Sequence, residues 1–305
     1  MSANVLVMMS TYNGEKYIKE QIDSVFAQEN VNVSLLVRDD GSTDGTIDIL
    51  ESYKKRGYKI DYYAGDNLKP ALSFMDLMFK VKDVDSFEYY AFCDQDDYWL
   101  TDKLFVATNQ LMQMKKDVPL LYYGKTQLVD GNLKPFTSKR MVHVESNTFR
   151  QAIICSNAAG CTMCFNAQLL KIVQQYHPKQ IMMHDGWVHK LCLAMGGEVF
   201  YDNIPHIYYR QHGGNVVGGT LPFKKRLEKH FRSFCNGKQV RKKMIEELYK
   251  GYGAKMLEEN KKLCELYINY DKSFFYKVRI LARKTKLKNF RVSFMYKLSI
   301  LLNLF

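Results

Sequence analysis

Tyr89-Tyr90-Ala91-Phe92-Cys93-Asp94-Gln95-Asp96-Asp97-Tyr98-Trp99 runs from five apolar residues straight into three carboxylates within four positions. The segment Tyr89 to Cys93 is short, unbroken and rich in aromatics, which predicts a buried strand with the carboxylates at its carboxyl end. Like charges this close raise one another's pKa and repel unless a cation or a set of donors compensates them. Hard oxygen ligands suit magnesium or manganese. A second reading stands beside the first: a solvated turn whose aspartates cap a helix starting near Asp102.

Outward from this stretch, residues 4 to about 125 alternate between β-rich runs and amphipathic stretches. Strands are predicted at Asn4 to Ser10, Val33 to Arg38, Lys59 to Ala64, Tyr89 to Cys93 and Leu120 to Tyr123. Helices are predicted at Lys16 to Gln28, Thr46 to Arg56, Pro70 to Lys82 and Asp102 to Lys115. Such alternation predicts an α/β fold, a mainly parallel sheet with flanking helices. Ligands of these sheets bind at the carboxyl ends of the strands. Those ends carry Ser10-Thr11-Tyr12-Asn13-Gly14, Asp39-Asp40-Gly41-Ser42-Thr43-Asp44-Gly45 and the acidic cluster, so three polar patches converge on one edge.

The chain has 305 residues, enough for a sizeable core, and with 47% hydrophobic residues and 6 prolines it is not a disordered sequence. Its 7 cysteines do not form a disulfide framework, and Cys161-x-x-Cys164 lacks a second pair for zinc, so both are read as buried thiols in a reducing compartment. The first strand opens without a basic flank or a cleavable apolar core, which predicts no signal peptide and a cytoplasmic catalytic part. The net charge of +12 is unevenly spread. Residues 224–305 hold 22 Lys or Arg against 7 Asp or Glu, a net of +15, leaving −3 for the rest. Two regions follow, 1–220 and a basic, amphipathic helical extension at 221–305. Ile245, Tyr249, Tyr252, Met256, Leu263, Leu266 and Tyr270 predict one long amphipathic helix packed on the body.

Taken together, Ser10-Thr11-Tyr12-Asn13-Gly14, Arg38-Asp39-Asp40-Gly41-Ser42-Thr43-Asp44-Gly45 and Asp94-Gln95-Asp96-Asp97 resemble the family 2 glycosyltransferases. The resemblance extends over about residues 4–217 and includes Asn67 and Ser73-Phe74. His184-Asp185-Gly186-Trp187 and Tyr209-Arg210-Gln211-His212-Gly213-Gly214-Asn215 are similar to motifs of bacterial rhamnosyltransferase-type members, which build cell-wall or capsular polysaccharide. It implies a GT-A fold, Rossmann-like, and an inverting, metal-dependent transfer from a dTDP- or UDP-sugar, with dTDP-rhamnose favoured and UDP-glucose or UDP-galactose as alternatives.

By the same resemblance, Asp96 is the metal ligand for Mg2+ or Mn2+, Asp94 lies on the ribose side, and His212 is a further metal ligand. Asp97 either orients Asp96 or caps a helix. A carboxylate at Asp39 can accept the N3–H of uracil or thymine, with Tyr12 stacking on the base and Thr11 offering backbone contacts. Asp40 either meets the nucleotide or builds the turn. Asn67 belongs to the nucleotide-sugar contacts, although relatives often have Asn-x-Gly where this chain has Asn67-Leu68-Lys69. Arg210 is expected to meet the diphosphate, and Gly213, Gly214, Gly218 and Gly219 to form a loop that closes over the donor. Asp185 is the general base, or else a helix cap; His184 and Trp187 form the acceptor platform, and Cys161-Thr162-Met163 shapes the acceptor pocket.

From 272 onward, basic residues alternate with aliphatic and aromatic ones, with no run of the roughly 20 apolar residues a spanning helix needs. The pattern predicts peripheral contact with an anionic membrane at the inner face of the plasma membrane, suited to a lipid-linked saccharide acceptor. A homodimer through the C-terminal helices is the other reading. A dinucleotide-binding protein is disfavoured because no G-x-G-x-x-G follows the first strand. A nucleic-acid partner is disfavoured because the basic tail is interleaved with aliphatics and no nucleic-acid module is present.

Overall fold

The computed structural model describes residues 2–115, 117–137, 146–156, 158–212, 239–283, 285, 287 and 289–305. At its centre lies β1 (Ala3–Thr11), paired in parallel with β2 (Val31–Asp39) on one side and β4 (Tyr89–Asp94) on the other. Beyond β2 lies β3 (Ile60–Ala64), also parallel. Beyond β4 come β8 (Cys164–Asn166), β6 (Leu120–Gly124) and β9 (Glu198–Asp202), of which β8 alone runs antiparallel to its neighbours. The sheet order is therefore β3-β2-β1-β4-β8-β6-β9. The chain leaves β1 toward β2 on one side and returns to β4 on the other, so the crevice at the ends of β1 and β4 is the switch point where such sheets bind ligands.

Both faces of the sheet are covered, which explains why β1 reads as a continuous apolar run rather than an alternating one. Val5, Val7 and Met9 face a core with Ile18, Ile22 and Val25 of α1 (Ile18–Phe26) and Leu104, Ala107 and Leu111 of α4 (Lys103–Met112). Leu6 and Met8 face the other core, with Phe74, Leu77 and Met78 of α3 (Lys69–Lys80) and Trp187, Val188 and Leu191 of α7 (His184–Ala194). The remaining body helices are α2 (Thr46–Lys55), α5 (Phe149–Ile154) and α6 (Ala167–Val173). Asn166 caps α6, its side chain accepting from Leu169 N.

A small second sheet decides where the last motif lies. β10 (Ile207–Arg210) pairs antiparallel with β5 (Tyr98–Trp99), just past the acidic cluster, and parallel with β7 (Gln127–Val129). Glu198 to Tyr209 thus holds two strands in different sheets. β9 extends the large one, and β10 returns the chain to the acidic cluster.

The basic region contains α8 (Val240–Tyr252), α9 (Glu258–Ile268), α10 (Phe274–Ala282) and α11 (Phe290–Leu301). The long helix expected across residues 245–270 is broken between α8 and α9. The break falls where the chain turns over the end of α7: Leu257 N donates to Ala194 O, and Asn260 Nδ2 donates to Leu193 O and Ala194 O at 3.0 and 3.1 Å. Leu193 O also accepts from Gly196 N, so these bonds chiefly satisfy Ala194 O, an external demand that a heptad pattern does not contain. The expected packing on the body is present, since Met244, Ile245, Leu248, Tyr252, Leu263 and Tyr267 share the core of α3 and α7. The boundary at 220/221 and the glycine loop at 213–219 lie outside the described residues.

Tyr252 tests this union. Its ring lies 6.3 Å from that of Trp187, and its buried hydroxyl donates to Val173 O at 2.9 Å. Tyr252→Ala is expected to cost about 3–5 kcal/mol in urea unfolding, the range for a truncated core aromatic, within one cooperative transition. A loss under about 1 kcal/mol would mean that α8 folds apart from the body.

Candidate active site

Strand register alone brings the first three motifs level. Thr11 pairs with Asp39, and Ser10 pairs with Arg38 on one side and Asp94 on the other. The loops that follow are laced together. Asn13 N donates to Ser42 Oγ and Thr43 N to Asn13 Oδ1, at 2.8 and 2.9 Å, while Glu15 Oε2 accepts from Gly45 N. Gln95 ties the acidic loop to the first one. Its Oε1 accepts from Thr11 Oγ1 at 2.5 Å and Tyr12 N at 2.9 Å, and its Nε2 donates to Tyr12 O at 3.1 Å. A primary amide carries the donor and the acceptor for this role on separate atoms. Gln95 was not singled out from sequence; the signal was an uncharged residue set among three carboxylates.

Asp39 is 1% exposed, and it holds the turn that follows it. Its Oδ1 accepts from Gly41 N and Ser42 N, and its Oδ2 from Ser42 Oγ. Gly41 has φ +81°, a left-handed conformation that suits glycine. Three donors leave Asp39 about one of its roughly four lone-pair sites. Asp40 is buried and ion-paired with Arg38, which also donates to Asp76 Oδ2 and Asp66 O. The turn-building alternative for Asp40 therefore fits its place. Beside it, Asn67 is exposed and caps its own loop by accepting from Lys69 N. Tyr12 is exposed at 48%, with its ring free to meet a planar ligand.

In the acidic loop the three carboxylates separate. Burial, then the charges of Asp96 and Asp185, raises the Asp94 pKa to about 7. Asp97 is fully buried, and burial followed by Asp94 and Asp96 holds its pKa well above the ordinary carboxylate range, although Arg210 N and the Cys161 thiol donate to it. Asp97 thus neither caps α4 nor faces solvent; the N-cap of α4 is Asp102, whose side chain pairs with His206. Asp96 is partly open, and its Oδ2 lies 2.7 Å from His212 Nε2. The His212 ring rests on Tyr17, 5.0 Å between centroids. Behind Asp97 lies Lys103, buried 3.5 Å above the Trp99 ring and with its pKa lowered by burial.

The donors suit a divalent cation. Asp96 offers a hard oxygen of the kind that suits Mg2+ or Mn2+, 2.7 Å from the His212 imidazole. Among the described residues, the three-ligand group whose atoms lie within 4.8 Å of one another is instead Asp94, Asp97 and Cys161. This trio is the underside of the loop, where burial and the neighbouring aspartates keep the Cys161 thiol protonated. A protonated thiol is a poor metal ligand.

Asp185 stands in the first turn of α7, where unpaired N–H groups favour an anion. It is not the cap, which is Met183. Its Oδ2 accepts from Gly160 N at 3.2 Å, and its Oδ1 from Gly186 N at 2.5 Å. Gly160 has no room for a side chain, since a Cβ there would lie 2.6 Å from His184 Nε2 and 3.5 Å from Asp185 Cβ. Lys190, not singled out from sequence, folds back to donate to Gly186 O at 2.9 Å. Burial lowers its pKa to about 8 against the attraction of Asp185.

Three expectations are corrected. Trp187 is 1% exposed and packs toward Tyr252, so it is core and not a sugar platform. With α7 starting at His184, positions 187, 188 and 191 form its inner stripe. His184 is likewise buried, stacked on Phe74 at 4.0 Å and edge-on to Phe92, and burial lowers its pKa to about 4, leaving it neutral. Arg210 is 2% exposed. Its guanidinium donates to Asp96 O, Gly131 O and Glu20 and lies over Tyr17, so it pins the acidic loop from behind and does not reach outward to a diphosphate.

The model of glycosyl transferase family 2 matches residues 6–176. The chain is 27% identical over 238 residues to the dTDP-rhamnosyl transferase RfbG of Shigella flexneri, covering 72% of this chain and 77% of that protein. It is 24% identical over 212 residues to the UDP-Glc:alpha-D-GlcNAc-diphosphoundecaprenol beta-1,3-glucosyltransferase WfaP of Escherichia coli, covering 70% and 79%. Among solved structures, S. aureus TarS 1-349 in complex with UDP-GlcNAc superposes with a TM-score of 0.56 at 17% identity, over 92% of this chain and 83% of that one. The mannosyltransferase PcManGT of Pyrobaculum calidifontis, in complex with GDP-Man and Mn2+, gives a TM-score of 0.51 at 15% identity, over 100% and 88%. These likenesses establish the GT-A fold.

The raised pKa of Asp94 has a measurable sign. Between the unfolded value of 3.8 and the folded value of about 7, the native state holds a proton that the unfolded state has lost. Stability without metal therefore falls as pH rises through this window. A divalent cation that takes the ionised carboxylates offsets the loss. Addition of Mn2+ should raise Tm by roughly 5 °C at saturation, more at pH 7.5 than at pH 5.5. A shift independent of pH would place the ion elsewhere.

Proposed function

The chain belongs to glycosyl transferase family 2, and on that premise we propose that it transfers a hexose from a dTDP- or UDP-sugar, dTDP-rhamnose favoured, to a lipid-linked saccharide with inversion at the anomeric carbon. The observation that carries this reading is the register that sets Thr11, Asp39 and Asp94 side by side, with Asp96 and His212 in contact and Asp185 within electrostatic reach of Asp94. The resemblance to a dTDP-rhamnosyl transferase supports the donor, and the resemblance to an enzyme named for a diphosphoundecaprenol acceptor supports a lipid-linked one.

In this proposal, Tyr12 stacks on the pyrimidine, Thr11 and Asn67 border the nucleotide, and the remaining lone pair of Asp39 accepts N3–H. Asp94 faces the ribose. Asp96 and His212 would hold Mg2+ or Mn2+, which would supply Lewis-acid neutralisation of the diphosphate charge. Asp185 takes the proton of the acceptor hydroxyl as that oxygen attacks from the face opposite the diphosphate. Gly160 N and Gly186 N fix the carboxylate for that transfer, and Lys190 balances its charge. The acceptor wall is drawn by Gly160 to Thr162 and the first turn of α7, with Trp187 and His184 supporting it from within the core. UDP-glucose or UDP-galactose is the alternative donor within the same site. The basic C-terminal region supports peripheral contact with an anionic membrane at the cytoplasmic face; among the described residues no helix is long and apolar enough to cross a membrane.

A panel of dTDP- and UDP-sugars, scored by thermal shift and by release of nucleoside diphosphate with Mg2+ or Mn2+, identifies the donor. Asp96→Ala should lose metal-dependent turnover. Asp185→Asn should bind donor with unchanged Kd while transfer falls by about 10²–10⁴-fold. Transfer at the wild-type rate by that variant would remove Asp185 from the role of base.

A further inference from the structure

Helices α10 and α11 are two-faced in an unusual sense: both faces are apolar. The inner face is seated in the core, where Ile280, Tyr296, Ile300 and Phe305 are all at most 8% exposed. The seating is specific. Arg150 of α5 donates to Ile280 O and Arg283 O at the end of α10, Tyr267 and Tyr296 join hydroxyls at 2.7 Å, and Lys277 Nζ donates to Leu301 O, tying the two helices together. The outer face is left bare. Phe274, Phe275, Phe290 and Phe294 are exposed at 72, 65, 82 and 55%, alongside Val278, Met295, Leu301 and Leu302. Of the 16 large apolar side chains exposed among the described residues, 8 lie between 274 and 302, which marks an interaction surface rather than scattered exposure.

Charge selects the occupant. Residues 272–305 contain 9 Lys or Arg and no Asp or Glu, with Lys272, Arg279, Arg291 and Lys297 exposed around the phenylalanines. A symmetric dimer through this face would set the same cationic patch against itself, since a two-fold interface is isologous. A bilayer containing anionic phospholipid complements both features, taking the aromatic rings into the acyl boundary and the cations at the headgroups.

We propose that the outer face of α10 and α11 inserts into an anionic bilayer as a prefolded hydrophobic wedge, held in fixed orientation by the contacts of Arg150, Tyr267 and Lys277. This deepens the peripheral contact proposed above, and rests on it. It adds that docking is apolar insertion by ordered helices, not adhesion of a flexible basic tail.

The test uses the whole chain and sedimentation with vesicles of phosphatidylcholine, alone or mixed with phosphatidylglycerol, at low and high salt. The wild type should bind the mixed vesicles and keep part of that binding at high salt. Phe274→Ser/Phe290→Ser/Phe294→Ser, at exposed positions that leave Tm unchanged, should lose the salt-resistant part and bind at least about tenfold more weakly. Neutralising Lys272, Arg279, Arg291 and Lys297 to Gln should weaken binding about fivefold per charge at low salt. Equal binding of the Phe variant and the wild type, a wild-type dimer dispersed by the Phe substitutions in place of vesicle binding, or capture of a single-stranded oligonucleotide but not vesicles would each overturn the proposal. Donor hydrolysis without vesicles is measured in parallel. Its absence in the wild type sinks the enzymatic reading and leaves the vesicle result standing, whereas its retention in the Phe variant confines the defect to docking.

Discussion

Crowded negative charge at the end of a buried strand is the constraint around which the rest of this molecule is arranged. Asp94 is pressed by Asp96 and by Asp185 from across the crevice, and Asp97 is sealed beneath them. Each has been given a different answer. Asp97 receives an N–H from Arg210 and a thiol hydrogen from Cys161. Asp96 meets His212. Asp94 is left to hold a proton near neutrality. The second sheet exists to deliver these partners, since β10 pairs with β5 directly after the cluster and carries Arg210 and His212 to it.

Much of this was legible in the sequence because it follows from local rules. The strands and helices of the first 125 residues carry periodicity and turn chemistry of their own, and strand ends in a parallel sheet gather on one edge whatever the loops do. The grouping of Thr11, Asp39 and Asp94 therefore came from topology before any side chain was placed. The choice of Asp96 and His212 came from resemblance, and the two atoms meet in the structure.

What was not legible depends on which face of an element turns inward. His184 and Trp187 flank Asp185 in sequence, and adjacency suggested a shared acceptor surface. On a helix, neighbours point about 100° apart, so Asp185 can face the crevice only if Trp187 and His184 face elsewhere, and here that is the core. Arg210 misled for a related reason. A guanidinium beside an acidic motif reads as a phosphate ligand, yet its five donors serve equally well to pin a loop, and nothing in the local sequence distinguishes the two uses. The break between α8 and α9 was hidden because its cause, the bonds made to the last carbonyls of α7, lies more than 60 residues upstream.

The core beneath α7 is continuous with that of α8 and α9, and this bears on how such an enzyme can diversify. The helix whose first turn presents Asp185 is buttressed on its inner side by Tyr252 and at its far end by Asn260, so that turn and the C-terminal helices cannot be exchanged as separate modules. Change around this turn must come by drift along one shared interior, in which a change of side-chain volume on either side of the seam is felt on the other.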